Sequence, residues 1–259
     1  MTTYAIFGAT GNCGSALIEN LLPLPQVTIN AYCRSESKLT RLFPEAVANG
    51  KIKIFEGQLD NVDVFIQCVR GCRAVFTAVT MNDNVPKVRV AEDMTRTLIT
   101  ALKKLREENK DHATPKVAVL SSASLEPSLC GNFPSVMHWI VTHCNSHVYA
   151  DLRVQERLLR DEEDWLTSIF IKPGGLSKDI QRGHCLNLQE QETFVSYLDL
   201  AAAMIEAAND PDGRYDMRDV SVNNLTGSAK FPKSLPLLAF CGLLRHYFPW
   251  LHPYLPLLG

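Results

Sequence analysis

Near the start of the chain, Gly8-Ala9-Thr10-Gly11-Asn12-Cys13-Gly14 joins an apolar run to an amphipathic one. Glycine lets a backbone turn tightly and approach a ligand with no Cβ in the way, and a helix start presents unpaired N–H groups and the positive end of its dipole to an anion. The spacing is G-x-x-G-x-x-G and not the G-x-G-x-x-G fingerprint, but a strand before it and a helix after it are the context a dinucleotide site needs. Gly8, Thr10, Gly11, Asn12, Cys13 and Gly14 are therefore candidate binders of a nucleotide diphosphate, and Cys13 needs only to be small. The competing reading is a glycine turn with no ligand.

The second apolar run ends Ala31-Tyr32-Cys33-Arg34-Ser35, with Lys38 beyond it. In dinucleotide folds an acidic residue about twenty positions past the last glycine holds the ribose hydroxyls of NAD, whereas arginine there suits a 2′-phosphate. Arg34 and Lys38 thus favour NADP(H) over NAD(H), the guanidinium making a forked contact with phosphate; the alternative is a solvated arginine at a strand end. Glu36 is read as the start of a helix. Asp60, after the third run, suits either the adenine amine or a helix N-cap, and the residues alone do not choose. Thr77, Ala78 and Val79 close the fourth run, where small side chains leave room for a nicotinamide.

Elements must hold these residues together. Short apolar runs over 3–8, 27–33, 51–56, 73–79, 116–121 and 165–172 alternate with amphipathic segments, the pattern of βαβ units around a parallel sheet buried on both faces. A helix is predicted from Pro86 to Asn109, with Asn84 as its cap, and another from Ser146 to Arg160. Past Gly175 the pattern weakens into strands near 184–188, 193–196 and 214–222 and a helix over 198–209. The division is a nucleotide-binding core over 1–175, with a substrate lobe and apolar tail over 176–259 packed on the same domain. In the tail, Leu235 to Leu258, Pro249, Pro253 and Pro256 break any helix into short pieces. It is read as a cover over the core, with a substrate lid, a dimer contact or a peripheral membrane contact as alternatives.

Of the 259 residues, 46% are hydrophobic and 21% charged, which is ordinary for a globular protein. Twenty-six basic against 28 acidic residues supply no positive field for a phosphate backbone, so nucleic acid is not an expected partner. No secretory signal or membrane-length apolar stretch is evident, so the chain is expected in the cytoplasm, as monomer or homodimer, with its eight cysteines reduced.

GATGNCG at 8–14, the arginine after the second strand, VLSSAS at 119–124, YADLRVQE at 149–156, IFIKPGG at 169–175 and YLDLA at 197–201 together resemble the extended and atypical branches of the short-chain dehydrogenase/reductase superfamily, including NmrA-like and biliverdin reductase B-like proteins. The resemblance covers about residues 3–205 and implies a Rossmann-like doubly wound sheet. It also implies carbonyl reduction by a serine after the fifth strand and a Tyr-x-x-x-Lys pair on the next long helix. Ser122 matches that serine, with Ser121 second, and Tyr149 matches the tyrosine. Arg153 stands where the family has lysine. The i,i+4 spacing puts it on the face of Tyr149, where a cation would stabilise tyrosinate; its alternative is a surface ion pair with Glu156. Pro173, Gly174 and Gly175 match the segment against the nicotinamide that leads into the substrate lobe, with Gly175 toward substrate. Lys172 is given no role.

His138, His143, Cys144 and His147 crowd the stretch before Tyr149. His143 and His147 have a zinc-like i,i+4 spacing but lack the H-E-x-x-H glutamate, so no metal is expected, and His143 or His138 is read as lining a substrate pocket. The expected activity is NADPH-dependent reduction of a carbonyl or conjugated carbonyl of a small, largely apolar metabolite. The alternatives are an isomerase or cyclase that retains its nucleotide and a non-catalytic, NmrA-like NADPH sensor.

Overall fold

A computed structural model describes residues 2–108 and 113–258. Its elements, in chain order, begin with β1 (Thr2–Phe7), α1 (Asn12–Leu21), β2 (Val27–Cys33), α2 (Glu36–Leu42), α3 (Pro44–Ala48), β3 (Ile52–Glu56), α4 (Val62–Val69) and β4 (Ala74–Thr77). They continue with α5 (Val90–Glu108), β5 (Lys116–Leu120), α6 (Ser135–Cys144), α7 (Ser146–Arg160), β6 (Ser168–Ile171) and β7 (Leu176–Ser177). The last are β8 (His184–Asn187), β9 (Val195–Ser196), α8 (Tyr197–Asn209), β10 (Asp219–Asn224) and α9 (Leu235–Tyr247).

Among the described residues the main sheet has eight strands in the order β3-β2-β1-β4-β5-β6-β10-β8. All pairings are parallel except that of β10 with the edge strand β8. This is a Rossmann-like α/β fold. Alternate side chains of β1 serve two cores: Tyr4 and Ile6 join α1 and α8 on one face, while Ala5 and Phe7 join α4, α5 and α7 on the other. Phe7, Tyr32 and Phe65 interlock there with ring centroids 4.6–5.0 Å apart, each burial contributing about 1.5–3 kcal/mol. Since β8 and β10 extend the same sheet and α8 packs on α1, the C-terminal third is built into the core's own layers.

The structure corrects several expected boundaries and caps. The long helix starts at Val90, not Pro86, and the end expected at Asn109 lies outside the described residues. Asn84 does not cap it: its Oδ1 accepts from the backbone N–H groups of His147 and Val148, and so caps α7. The start of α5 is capped from α7, Asp151 accepting from the N–H groups of Ala91 and Glu92 at 2.9 and 2.8 Å. The strand expected from 214 starts only at Asp219, after Gly213 and Met217 have turned the chain with positive φ. The tail is not broken throughout: its prolines at 249, 253 and 256 follow a continuous helix, α9, in which Pro236 sits harmlessly in the first turn. Arg245, wholly buried, pins that helix to Asp83, while Trp250, Tyr254 and Leu257 stay exposed.

Candidate active site

The glycine turn lies where β1 hands over to α1. Gly8 has φ +84°, and a Cβ on it would come within 2.5 Å of the Ala78 carbonyl oxygen; one on Gly14 would come within 2.1 Å of the Gly8 oxygen. The Gly11 N–H closes the turn on the Gly8 carbonyl at 2.9 Å. As N-cap of α1, Gly11 offers no side-chain acceptor, and the helix has no acidic residue in its first turn. The first N–H groups of α1 therefore lack the usual side-chain cap at the positive end of the helix dipole. Cys13 is buried against Met204, and burial pushes its thiol up to about 12, so it is an inert small filler.

Thr10, Gly11 and Asn12 line a cleft of about 410 Å³, together with Ser15, Tyr197, two lysines, Lys38 and Lys178, and two carboxylates, Glu19 and Asp179. Arg34 is exposed at the end of β2, and the Ser35 hydroxyl caps α2, which Glu36 begins as expected. Asp60 is exposed and is not the cap of the next helix, because Asn61 takes that role by accepting from the Val64 N–H. Thr77 is buried with its hydroxyl unpartnered among the described residues, and Ala78 and Val79 lie against Gly8. Pro173 accepts from the Ala123 N–H at 2.9 Å. Gly174 and Gly175 are roofed by Gln191–Phe194, where Cβ atoms would collide with Glu192 and Phe194. These features fit a dinucleotide: a Cβ-free turn, an uncapped helix start and an open cleft beside them.

At the end of β5 the chain brings Ser122 and Tyr149 together, Ser122 Oγ lying 3.1 Å from the Tyr149 hydroxyl. Burial pushes the Tyr149 phenol up, and hydrogen bonds with the Ser122 and Ser124 hydroxyls pull it partly back. Its walls are apolar: Met81, Val88, Leu125 and Val141 pack around it with Ala91 and Leu152.

Arg153 is not in this arrangement. It is exposed while Tyr149 is buried, since 400° of helical rotation carries position 153 onto the rim, and no cation is among the causes of the Tyr149 shift. Nor does Arg153 hold Glu156. That carboxylate accepts from the Ser121 hydroxyl and pairs with Lys172 Nζ at 2.9 Å.

Lys172 is almost wholly buried, with Asp219 at 2.9 Å as a second partner and Glu126 at 3.8 Å, while Arg160 reaches Asp219 at 2.7 Å. This hub ties the ends of β5 and β6 to α7 and β10. Sequence reasoning missed it; the available signal was a lysine in a strand end whose neighbours are all apolar. His143 stacks against α9 near Trp139, His246 and Tyr247, away from Tyr149, whereas His138 Nε2 lies 3.3 Å from the Ser124 carbonyl. No three-residue metal-ligand group exists among the described residues.

The fold defines a class, the Rossmann-like α/β proteins, and the glycine turn and cleft fit a dinucleotide. A family model described as NAD(P)H-binding matches residues 8–211. The chain is 51% identical over 260 residues to the oxidoreductase GME11367 of Pestalotiopsis microspora, covering 100% of this chain and 99% of that one. With the oxidoreductase AgnL4 of Paecilomyces divaricatus it shares 50% over the same length, again covering 100% and 99%.

Among solved structures, a short-chain dehydrogenase/reductase from Veillonella parvula in complex with NADP superposes with TM-score 0.67 at 19% identity, covering 90% of this chain and 99% of that one. ChuY, an anaerobillin reductase from Escherichia coli O157:H7, gives 0.64 at 19%, covering 88% and 100%. The chain belongs to the NAD(P)H-binding family and, like the relatives it matches over their full length, is an oxidoreductase. No helix among its described residues is long and apolar enough to cross a membrane.

Proposed function

We propose that this protein uses NADPH to reduce a carbonyl or conjugated carbonyl of a small, largely apolar metabolite. The observation that carries the reading is the Ser122–Tyr149 pair at 3.1 Å on the cofactor side of the sheet. Strands β1 and β5 flank β4, so their ends lie about 10 Å apart, a span suited to a dinucleotide running from the glycine turn toward the pair. The bound cofactor supplies hydride.

Ser122 orients the substrate oxygen, and Tyr149 gives it a proton as it becomes alkoxide-like. With no cation beside it among the described residues and its phenol raised by burial, Tyr149 is neutral across the physiological range, the state a proton donor needs. The apolar walls of Met81, Leu125 and Val141 match an apolar substrate. Thr10, Gly11, Asn12 and Gly14 receive the diphosphate, Gly8, Thr77, Ala78 and Val79 clear its path, and Arg34 and Lys38 take the 2′-phosphate. Asp60 meets the adenine amine, and Pro173 and Gly174 lie by the nicotinamide.

The test is NADPH oxidation against a panel of ketones, aldehydes and enones. Tyr149→Phe lowers kcat about 10²–10⁴-fold and Ser122→Ala lowers it less, with nucleotide affinity held in both. Turnover unchanged from that of the unaltered protein in both variants rejects the assignment. For an acid that must be protonated and whose pKa is raised, activity persists at neutral pH and is lost only as pH climbs past the ordinary phenol value of about 10. Arg34→Ala weakens NADPH much more than NADH; equal weakening removes the cofactor preference.

The exposure of Arg153 favours a second reading, because a tyrosine without a cationic partner also suits isomerisation or cyclisation around a retained nucleotide. Product formation without net NADPH oxidation would identify that chemistry. Tight nucleotide binding without turnover would identify a sensor.

A further inference from the structure

Helix α9 inverts the polarity of an ordinary surface helix, which turns its apolar stripe to the core and its charges to water. Its one Lys, Arg, Asp or Glu residue, Arg245, is wholly buried and donates to Asp83 at 3.1 Å and to the Pro256 carbonyl at 2.7 Å. Gly242 faces inward with it, where a Cβ would collide with the Cys144 carbonyl. Leu237, Phe240 and Tyr247, spaced so that they share one side of the helix, are exposed. The tail thus covers the core with its small and charged side and keeps an apolar side outermost.

That side continues onto α6 and onto the turn after α9. The Trp139 ring lies 4.4 Å from that of His143, which lies 6.3 Å from Tyr247 in a near-parallel stack, so the two helices present one surface. Val136 in α6 and Trp250 and Tyr254 after α9 are exposed as well. The charge here is one-sided. Residues 127–150 and 220–259 contain no aspartate or glutamate, whereas Lys230 and Lys233 are exposed just ahead of α9. Carboxylates from elsewhere in the chain reach the flanking segments, Glu190 at Asn132 and Asp179 at 3.7 Å from Lys230, while Asp83 is buried and engaged by Arg245. Lys233 pairs with no carboxylate among the described residues.

We propose that this face docks on the surface of a bilayer containing anionic lipids. Tryptophan and tyrosine settle at the boundary of hydrocarbon and headgroup, with the ring in the apolar layer and the N–H or O–H in the wet one, and two of the chain's three tryptophans lie here. Leu237 and Phe240 enter the acyl boundary as the apolar side of an interfacial helix does, and Lys230 and Lys233 meet lipid phosphates at its edge. At 13 residues, α9 lies on the bilayer and does not cross it. A second copy of the chain fits less well, because a twofold interface sets the face against its own image and offers the lysines no carboxylate from α6 or α9. Docking of this kind requires nothing of the nucleotide cleft.

The test is flotation of the full chain with vesicles of phosphatidylcholine alone and of phosphatidylcholine with about 30% phosphatidylserine, followed also by tryptophan emission. The unaltered protein binds the anionic vesicles, its emission shifts to the blue, and binding weakens as salt is raised. Phe240→Ser combined with Trp250→Ser lowers the partition coefficient by about tenfold or more, and Lys233→Glu lowers it by about fivefold or more. Phe240 and Trp250 are 59% and 69% exposed, so the unfolding temperature of the double variant should match that of the unaltered protein, which separates a lost contact from a damaged fold. Absence of vesicle binding by the unaltered protein overturns the proposal, as does equal binding to the two kinds of vesicle. A concentration-dependent dimer in sedimentation that the double variant abolishes also overturns it, by giving the face to a second copy. Each of these failures leaves the proposed function standing.

Discussion

The glycine turn and the Ser122–Tyr149 pair are built by opposite means. The turn is made from seven consecutive residues, and its tight contacts are with itself and with the neighbouring strand end, Ala78 and Val79. The pair joins residues 27 positions apart, and its geometry depends on parts of the chain that touch neither hydroxyl. Asn84 caps α7, Asp151 caps α5, and Lys172 binds Glu156, which in turn holds Ser121 beside Ser122. A binding turn can therefore be specified locally, by backbone conformation. A proton donor must be held at a stated distance from a partner on another element, and long-range contacts set that distance.

Gly14→Ala tests the local half and should have the largest effect. Its Cβ would sit 2.1 Å from a backbone oxygen that cannot swing aside, so β1 and α1 must separate. A cost of about 3 kcal/mol at the upper end of overpacking is expected, with NADPH affinity down about 100-fold or more. Gly11→Ala sharpens the comparison: its φ is −84° and its new Cβ would come only to 3.3 Å of the Gly8 oxygen, so stability is nearly kept while affinity still falls. Equal unfolding temperatures for the two variants would contradict this division.

Lys172→Met tests the assembled half. It leaves the buried Glu156 carboxylate without its cation, a loss of about 3–5 kcal/mol when one partner of a buried pair is removed. Adding Glu156→Gln removes the stranded charge and should recover part of that loss in a double-mutant cycle by denaturant unfolding. Additive losses would mean that the two residues do not act as a pair. NADPH affinity should change far less than in Gly14→Ala, since the hub lies at β5, β6 and β10, away from the turn.

This division also explains how much of the molecule was legible in its sequence. Strand β2 and helix α7 fall on the predicted residues because a short run of residues buried on both faces and a 3.6-residue apolar stripe are local signals. The Rossmann-like order follows from repeated β and α segments, and the turn from three glycines. The sequence misled where a side chain serves a distant element. Asn84 looks like a cap for the helix that follows it, yet its acceptor goes to α7. Arg153 matches the family's lysine by spacing, yet helical rotation leaves it on the surface, and the buried cation is Lys172, from a strand end 23 residues from Tyr149. Spacing reports which residues share a helix face but not how much of that face the neighbouring layers cover.

The smallest effect belongs to the reciprocal caps. Asp151→Ala removes the acceptor for the Ala91 and Glu92 amides, and Asn84→Ala removes the one for His147 and Val148. Each loss amounts to about 1–2 kcal/mol, the range of an N-cap. Both brace the same packed pair of helices, α5 and α7, so the second loss acts on a contact the first has already loosened. The double variant should fall short of the sum by about 0.5 kcal/mol or more in denaturant unfolding. Because α7 carries Tyr149, kcat should fall severalfold in each single variant while NADPH affinity is unchanged. Full additivity with undiminished kcat would show that the caps stabilise the helices separately and do not set the distance between Ser122 and Tyr149.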